Sequence, residues 1–400
     1  MVEGGALTSS RGPEVLVATK FLPVPPDNGG KLRAWATLRR LAERASVTVV
    51  AYDDGDADVA SLAELGVRVV SRPWPPSRSS MAKGLLRSGS ITSARFWDDG
   101  LVEDVDRAAR ARPPDVVVVE YAQLLPWVAR LRPPNLVHAS HNVESALVAS
   151  WARTRKLPAR LAITAEAAGV RRLERRLLGR ASVVSVVSEN DRHRLPGAAR
   201  RVVVCPNGVD PAPPLPTSEE RLAVFVAQLG WRPNADAATW LAQDIWPLVR
   251  TARPGARLAL VGRDPGPEVR ALVGAPVEVP SAIPSVRPWL ARAALALAPL
   301  RAAGGSRLKI LEALDAGRPV VATRLGAEGL EDLVGSGVVL ADDAQGLANA
   351  IISLLDDPRE ASRLGTLGHQ AVEARYGWDA TLAPLLDAVS PVGGSQAEAS

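Results

Sequence analysis

The sequence predicts an α/β protein made of two doubly wound domains. Short valine-rich runs alternate with amphipathic stretches of about 10–20 residues along most of the chain. The valine-rich runs are apolar on both faces, as is typical of strands buried in a parallel sheet. The alternation stops at a proline-rich stretch after Pro206 and then starts again, which favours two sheets over one.

The first series runs from the N-terminus to the proline-rich stretch. Its predicted strands are residues 15–19, 47–52, 67–71, 116–120, 136–140, 183–187 and 202–205. Its predicted helices are residues 31–44, 101–112, 124–131, 159–178 and 189–195. This order corresponds to a doubly wound domain, with helices on both faces of a parallel sheet.

The second series follows the break. Residues 206–220 are read as an interdomain linker, because so many prolines exclude both a helix and a central strand. Predicted strands then fall at residues 222–226, 257–261, 277–279, 294–298, 320–323 and 337–340. Predicted helices fall at residues 236–249, 285–292, 308–316, 344–355 and 358–374.

The expected domains are an N-terminal one over residues 1–205 and a C-terminal one over residues 221–375. The last helix, within residues 376–390, has no strand after it and is expected to pack back toward the N-terminal domain. Residues 391–400 are expected to be a disordered tail.

Composition excludes several classes of protein. With 47% hydrophobic and 23% charged residues, the chain is not a disordered, collagen-like or coiled-coil protein. No apolar run approaches the ~20 residues of a membrane span, so a cytoplasmic protein is expected. The single cysteine, Cys205, and four scattered histidines argue against a disulfide or a structural metal.

The net charge of +5 rests on 48 Lys plus Arg, nearly all of them Arg. Arginine suits a phosphate-bearing ligand, but a GC-rich genome also encodes such a composition, and we favour that explanation. Few aromatic residues are available to stack on bases, so no nucleic-acid partner is expected.

Two parallel sheets that face each other form a cleft at the carboxyl ends of their strands, where ligands bind. The most informative loop there contains Gly304, Gly305 and Ser306, after a predicted strand. The glycines permit close approach of the backbone to a ligand, and Ser306 can cap the helix that follows. The N-terminus of such a helix favours a phosphate.

That helix carries three more candidate residues. Arg307 and Lys309 place cations beside the expected phosphate, and Glu312 lies one to two turns into the helix. A carboxylate there can accept hydrogen bonds from a diol such as a ribose. The combination is much more specific than a glycine-containing turn alone.

At these residues the sequence resembles the retaining GT-B glycosyltransferases of family 4, which use nucleotide-sugar donors. Glu312 matches the second of the family's two motif glutamates, and Gly317-Arg318-Pro319-Val320-Val321 matches the strand that follows. Further matches are Pro25–Gly30, His141–Glu144, Val187–Glu189, Pro206–Asp210, Leu260–Gly262 and Tyr376–Trp378.

The resemblance implies a function and the roles of particular residues. It implies the GT-B fold, with two Rossmann-like domains facing each other across a cleft, and a nucleoside diphosphate sugar as co-substrate without any cofactor. His141 is implied to contact the sugar or set its attack geometry, and Arg232 to contact the pyrophosphate. Gly29 and Gly30 should form a flexible loop close to the donor phosphates.

The full set of candidate residues has two parts. The catalytic candidates are His141, Lys309 and Arg232, and the donor-binding candidates are Gly29, Gly30, Gly304, Gly305, Ser306, Arg307 and Glu312. No metal is expected, because the aspartates that follow predicted strands, such as Asp53 and Asp54, are read as turn residues. The acceptor can be a saccharide, a lipid-linked compound or a natural product.

One residue departs from the family pattern. Gly304 stands where the family usually has its first motif glutamate, which contacts donor sugar hydroxyls. A subgroup with Gly-Gly-(Ser/Thr)-Arg-Leu-Lys shares this change. We hypothesise that the donor sugar has fewer or different hydroxyls at the contacted carbons.

Other readings stay open. A nucleotide-sugar 2-epimerase can use the same fold, and Gly304 also allows a catalytically impaired sugar- or nucleotide-binding partner protein. Residues 72–96 are read either as a basic amphipathic loop in peripheral contact with the inner face of the membrane or, preferably, as a solvated insertion.

Overall fold

The computed structural model describes residues 12–153, 156–218, 220–274, 276–281, 283, 285–302 and 307–390. The chain divides into two compact units. The first contains the residues up to Val186, then Leu195–Val204 and the residues from Leu382 onward; the second contains Val187–Arg194 and Cys205–Thr381. Residues 391–400, for which we expect a disordered tail, lie outside the described residues.

The first unit contains a seven-stranded parallel sheet. Its strands are β1 Glu14–Phe21, β2 Ser46–Asp53, β3 Arg68–Pro73, β4 Val116–Val119, β5 Asn135–Ala139, β6 Val183–Val186 and β7 Val202–Val204. Their order across the sheet is β3-β2-β1-β4-β5-β6-β7. The order reverses between β1 and β4, so the switch point of this sheet lies there.

The described residues up to the end of the first sheet form eight α-helices. They are α1 Gly29–Ala42, α2 Val59–Glu64, α3 Arg78–Ser88, α4 Ile91–Ala94, α5 Asp99–Ala111, α6 Glu144–Arg153, α7 Ala159–Arg180 and α8 Glu189–Arg194. The short α8 belongs to the second unit. Residues Ala122–Val128 form a 3-10 helix where we predict an α-helix, and Pro126 within it explains the difference because proline cannot donate a backbone hydrogen bond.

The second unit contains a six-stranded parallel sheet. Its strands are β8 Leu222–Val226, β9 Arg257–Val261, β10 Val277–Glu278, β11 Leu295–Ala298, β12 Val320–Ala322 and β13 Val338–Leu340. Their order is β10-β9-β8-β11-β12-β13, which places the switch point between β8 and β11. Both sheets confirm the predicted doubly wound architecture.

The remaining helices follow β8. They are α9 Arg232–Trp240, α10 Trp246–Ala252, α11 Pro267–Arg270, α12 Arg287–Arg292, α13 Leu308–Asp315, α14 Ala344–Asp356, α15 Pro358–Arg375 and α16 Trp378–Val389. A π-helical turn, Leu241–Ile245, joins α9 to α10 and ends two residues before Pro247, which lacks the N–H that a regular α-helix would use. A 3-10 turn occupies Glu331–Leu333.

The proline-rich stretch after Pro206 packs on the second unit. Val209 pairs with Gly377, and the backbone of Val209 exchanges hydrogen bonds with Tyr376 and Trp378. Two of the motifs that carry the family resemblance, Pro206–Asp210 and Tyr376–Trp378, are therefore in contact. Further along, Arg318 is buried and donates to the carbonyl oxygen of Pro216.

Among the described residues, no helix is long and apolar enough to cross a bilayer. Helices α3 and α4 occupy the part of the chain that we read as an irregular insertion or loop. Their caps are polar: Ser77 accepts a hydrogen bond from Ser80 N, and Ser90 accepts one from Ser93 N. Periodicity did not identify these helices because their sequences lack a continuous apolar stripe.

Candidate functional site

Lys309 lies beside the switch point of the second sheet. Its ammonium group donates to Asn234 Oδ1 at 2.8 Å and lies 4.5 Å from the ring centroid of Phe225. Phe225 belongs to β8, Asn234 to the first turn of α9, and Lys309 to the first turn of α13. Asn234 is held in turn by its donation to Gln228 O at 2.9 Å. Three elements therefore fix the position of one cation.

Glu312 lies one turn after Lys309 on α13, and this spacing places the two side chains on one face of the helix. Both side chains are partly buried. Burial lowers the pKa of Lys309 to about 7, with Arg307 contributing in the same direction. Burial also raises the pKa of Glu312 to about 7, and Lys309 opposes this rise.

Arg307 has a different environment. It is buried, and it donates to Leu325 O at 3.0 Å and lies 3.8 Å from Glu328 Oε2. Burial lowers its pKa to about 10, so it stays charged near neutrality. Glu328 also forms a forked pair with Arg194, and both arginines interact with the buried Asp191. Arg307 thus belongs to an ionic network within the second unit.

The structure describes only one of the remaining candidates of the second unit. Arg232 begins α9 with an exposed side chain, two residues before Asn234. Gly304, Gly305 and Ser306 lie outside the described residues.

His141 lies at the carboxyl edge of the first sheet, next to its switch point. It follows β5, while Glu120 and Tyr121 follow β4. The hydroxyl of Tyr121 lies 3.0 Å from His141 Nδ1, and Glu120 Oε2 lies 3.5 Å from His141 Nε2. Burial lowers the pKa of His141, so the imidazole is neutral at pH 7. The carboxylate favours a proton on Nε2, so Tyr121 donates to Nδ1.

Lys20, near the end of β1, completes this group. Its ammonium group lies 3.8 Å from the ring centroid of Tyr121 and 3.8 Å from Glu144 Oε1 at the start of α6. Burial lowers the pKa of Lys20, and Glu144 opposes the effect. The edge of the first sheet therefore concentrates buried or partly buried polar side chains.

Gly29 and Gly30 are the first two residues of α1, so they form the start of a helix and not a separate flexible loop. Asn28 caps this helix by accepting from Lys31 N at 3.1 Å. A Cβ atom on Gly30 would lie 2.8 Å from the hydroxyl of Tyr121. The absence of a side chain at residue 30 therefore lets α1 approach the Tyr121–His141 pair.

Sequence reasoning did not single out Asn234, Tyr121 or Lys20. Position could have pointed to Tyr121 and Lys20, because both lie at the ends of predicted central strands. Asn234 carries no charge, so it is missed when its loop is inspected for a cation that could contact the pyrophosphate. Among the described residues, no group of three or more His, Cys, Asp or Glu side chains is arranged to hold a metal ion.

Comparisons with known proteins agree with this architecture. Residues 28–208 match the family model described as glycosyl transferase 4-like domain, and residues 220–357 match the one described as glycosyl transferases group 1. No curated protein sequence gives a significant match.

Solved structures share the fold at low sequence identity. Sucrose-phosphate synthase from Thermosynechococcus elongatus is 18% identical with a TM-score of 0.71, covering 93% of this chain and 97% of that one. Anabaena Alr3699/HepE, in complex with UDP and glucose, is 17% identical with a TM-score of 0.66, covering 94% and 98%. WaaG, a glycosyltransferase involved in lipopolysaccharide biosynthesis, is 14% identical with a TM-score of 0.67, covering 95% and 100%.

The two domain matches and the fold together define the class of this protein. It is a glycosyltransferase with the GT-B fold, in which each unit carries one Rossmann-like sheet.

Proposed function

We propose that this protein transfers a sugar from a nucleoside diphosphate sugar to a hydroxyl group of an acceptor, with retention of anomeric configuration. The observation that carries the proposal is the position of Lys309 at the switch point of the second sheet, supported by Asn234 and Phe225. The Anabaena protein of similar fold, which is in complex with UDP and glucose, supports a donor of this kind.

The residues of this unit supply the chemistry that such a transfer needs. Breaking the bond from the sugar to the diphosphate leaves negative charge on the departing oxygen, and a preorganised cation stabilises that charge. Lys309 occupies the first turn of α13, whose N-terminus has the positive end of the helix dipole. Glu312, in its ionised form, can accept hydrogen bonds from a ribose diol.

Retention is proposed from the resemblance to family 4, with a leaving-group oxygen assisting the acceptor on the same face of the sugar. We also propose that the reaction needs no metal ion, because cationic side chains stabilise the diphosphate. Assays after treatment with EDTA should keep full activity. Loss of activity that Mg²⁺ or Mn²⁺ restores would refute the metal-independent mechanism.

The proposal is tested first by thermal shift with uridine, adenosine, guanosine, cytidine and thymidine diphosphates. One of these should raise the melting temperature by mass action, and Lys309→Met should weaken that rise. Lys83→Met is the matched control, because Lys83 is exposed in the first unit and pairs with Asp99. No rise with any nucleotide would contradict the proposal.

Turnover separates the remaining alternatives. A nucleotide-sugar 2-epimerase converts its donor in the absence of any acceptor, whereas a transferase needs the acceptor. A binding partner protein would show nucleotide binding without turnover of any donor. The donor panel should include deoxy sugars, since Gly304 replaces the first motif glutamate. Strong preference for fully hydroxylated glucose would contradict a donor with altered hydroxyls.

A peripheral contact with an anionic membrane surface is a further part of the proposal. Leu86 on α3 is 88% exposed, Leu161 on α7 is 65% exposed, and Ile91 on α4 is 59% exposed. Glu166 of α7 accepts hydrogen bonds from Ser90 Oγ and from Ile91 N, so these helices pack against each other. Exposed leucines beside basic residues are typical of interfacial helices.

A further inference from the structure

A pocket of about 500 Å³ lies at the amino edge of the first sheet. Its walls come from the loop before β5, from β5 itself, from the end of α7, which leads into β6, and from the loop before β7. These three strands are neighbours in the sheet. His141 follows β5, so the pocket and His141 lie at opposite ends of that strand. The pocket is therefore separate from the carboxyl edge, where ligands of doubly wound sheets usually bind.

Three arginine side chains line this pocket, namely Arg132, Arg180 and Arg200. Arg132 and Arg200 are exposed, and Arg180, at the end of α7, is partly buried. Among the described residues, no carboxylate lines the pocket or forms an ion pair with any of the three arginines. A GC-rich genome explains why the chain has many arginines, but it does not explain why three of them meet in one pocket without an acidic partner.

The guanidinium groups of Arg132 and Arg180 converge on the same two backbone oxygens. Arg132 donates to Ala129 O at 3.0 Å and to Leu131 O at 3.3 Å. Arg180 donates to Ala129 O at 3.5 Å and to Leu131 O at 3.1 Å. These carbonyl oxygens hold the two side chains in place, but they carry no net charge. Burial lowers the pKa of Arg180, and the nearby positive charge of Arg132 lowers it further.

The three side chains keep hydrogen-bond donors for a ligand. A guanidinium group has five N–H donors, and the contacts of Arg132 and Arg180 with the two carbonyl oxygens use at most two of them on each side chain. Arg200 donates to none of the described residues. Two positive charges that lie close together repel each other, so an anion bound beside them removes an unfavourable interaction as well as accepting hydrogen bonds.

The number of charges and the shape of the pocket select the kind of anion. A phosphate monoester carries close to two negative charges and three terminal oxygens, so two guanidinium groups can each form a forked contact with it. A carboxylate has one charge and two oxygens, which a single arginine satisfies. Ala129, Pro133 and Leu136 add an apolar wall, and the volume is within the range of pockets that hold small organic molecules.

We propose that Arg132, Arg180 and Arg200 form a binding site for a phosphate monoester at the amino edge of the first sheet. This site goes beyond the proposed function, because it involves neither Lys309 nor the carboxyl edge of either sheet. The phosphate belongs either to a free metabolite or to a lipid headgroup such as that of phosphatidic acid. The recognised chemistry is the same for both sources.

Isothermal titration calorimetry on the full chain tests the site with glucose 6-phosphate, glycerol 3-phosphate and inorganic phosphate. Glucose and glucuronate are the neutral and the carboxylate probes. At least one phosphate should bind, and Arg132→Gln and Arg180→Gln should each weaken its binding by about tenfold or more. The matched control is Arg171→Gln, which removes the same charge from the opposite face of α7 and should bind like the wild type. All titrations use the Lys309→Met background, so that phosphate bound in the second unit does not contribute.

Flotation with phosphatidylcholine vesicles separates the two sources of phosphate. Phosphatidic acid presents a monoester at the vesicle surface, whereas phosphatidylglycerol presents a diester. Binding of a soluble ester in calorimetry assigns the site to a free phosphate. If no soluble ester binds, but Arg132→Gln and Arg180→Gln float less than the wild type with vesicles that contain phosphatidic acid, the site takes a lipid headgroup.

The outcome stays decisive if one variant does not fold, which circular dichroism and the melting temperature show. Arg200→Gln changes an exposed side chain that donates to none of the described residues, so it remains informative if Arg180→Gln fails. The proposal is overturned if no phosphate binds in either assay or if glucuronate binds more tightly than every phosphate. It is also overturned if the folded pocket variants bind like Arg171→Gln. None of these results bears on nucleotide binding by Lys309, so the proposed function stands or falls separately.

Discussion

The pH dependence of donor binding is the sharpest prediction from the second unit, because two groups with opposite requirements both have a pKa of about 7. The proposed contact of Lys309 with a diphosphate needs its protonated form, which is populated below pH 7. Glu312 accepts hydrogen bonds from a ribose best in its ionised form, which is populated above pH 7. Affinity for a nucleoside diphosphate sugar should therefore pass through a maximum near pH 7.

The size of the effect follows from the two titrations. At pH 7 about half of the molecules have Lys309 protonated and about half have Glu312 ionised, so about one quarter have both groups in the form that binds. At pH 8.5 or pH 5.5 this fraction falls to about 0.03, so Kd should weaken by about eightfold on either side. A nucleoside diphosphate sugar is the right ligand, because its diphosphate is esterified at both ends and does not titrate in this range.

Two variants separate the limbs of the profile. Lys309→Arg keeps a positive charge at every pH used, so it should flatten the alkaline limb and leave the acid limb in place. Glu312→Gln is neutral throughout, so it should flatten the acid limb only. Isothermal titration calorimetry from pH 5.5 to 8.5 measures both. A flat wild-type profile, or a variant that flattens the opposite limb, would refute the reasoning.

Three further predictions concern other parts of the molecule. Gly262→Ala should lower the free energy of unfolding by about 2–5 kcal/mol in urea titrations. The reason is that residue 262 has φ of +155° and that a Cβ atom there would clash with the backbone oxygen of Ala227. An unchanged urea midpoint would contradict this close approach of Gly262 to Ala227. Asn234→Ala should weaken nucleotide binding by about tenfold in calorimetry while the fold persists, because it frees the cation that Asn234 holds; wild-type affinity would remove Asn234 from the site. The double variant Leu86→Ser with Leu161→Ser should float less with phosphatidylglycerol vesicles than the wild type. The control Val273→Ser, at a side chain that is 63% exposed in the second unit, should float like the wild type. Equal flotation of the wild type, the double variant and the control would exclude the proposed membrane surface.

Strands were predicted from the sequence more completely than helices. All thirteen predicted strands are present, most within one residue of their expected ends, because strands buried on both faces have an unmistakable composition. Helices α2, α3, α4, α6 and α11 were not predicted. Their sequences lack a continuous apolar stripe, and tertiary contacts stabilise them instead.

The candidate site was also predicted only in part from the sequence. Lys309 and Glu312 were accessible to sequence reasoning, because their positions on one helix follow from spacing alone. The ionic partners of Arg307 were not, since Glu328 is 21 residues away in the chain and Asp191 is more than a hundred residues away. Spacing predicts neighbours within one element, whereas contacts between elements depend on the packing of the whole unit.

The carboxyl edges of the two sheets differ in their electrostatics. At the second edge, burial raises the pKa of Glu312, one turn after Lys309, so the local negative charge is reduced, which favours a diphosphate. At the first edge, the partly buried Lys20 and the buried Arg33 lie among the buried carboxylates Glu120 and Glu144, so a further anion has no unmatched charge to pair with. Hydroxyl groups, which both donate and accept, suit such a balanced cluster. We therefore expect the charged part of a nucleotide sugar to bind in the second unit and not at the edge of the first sheet.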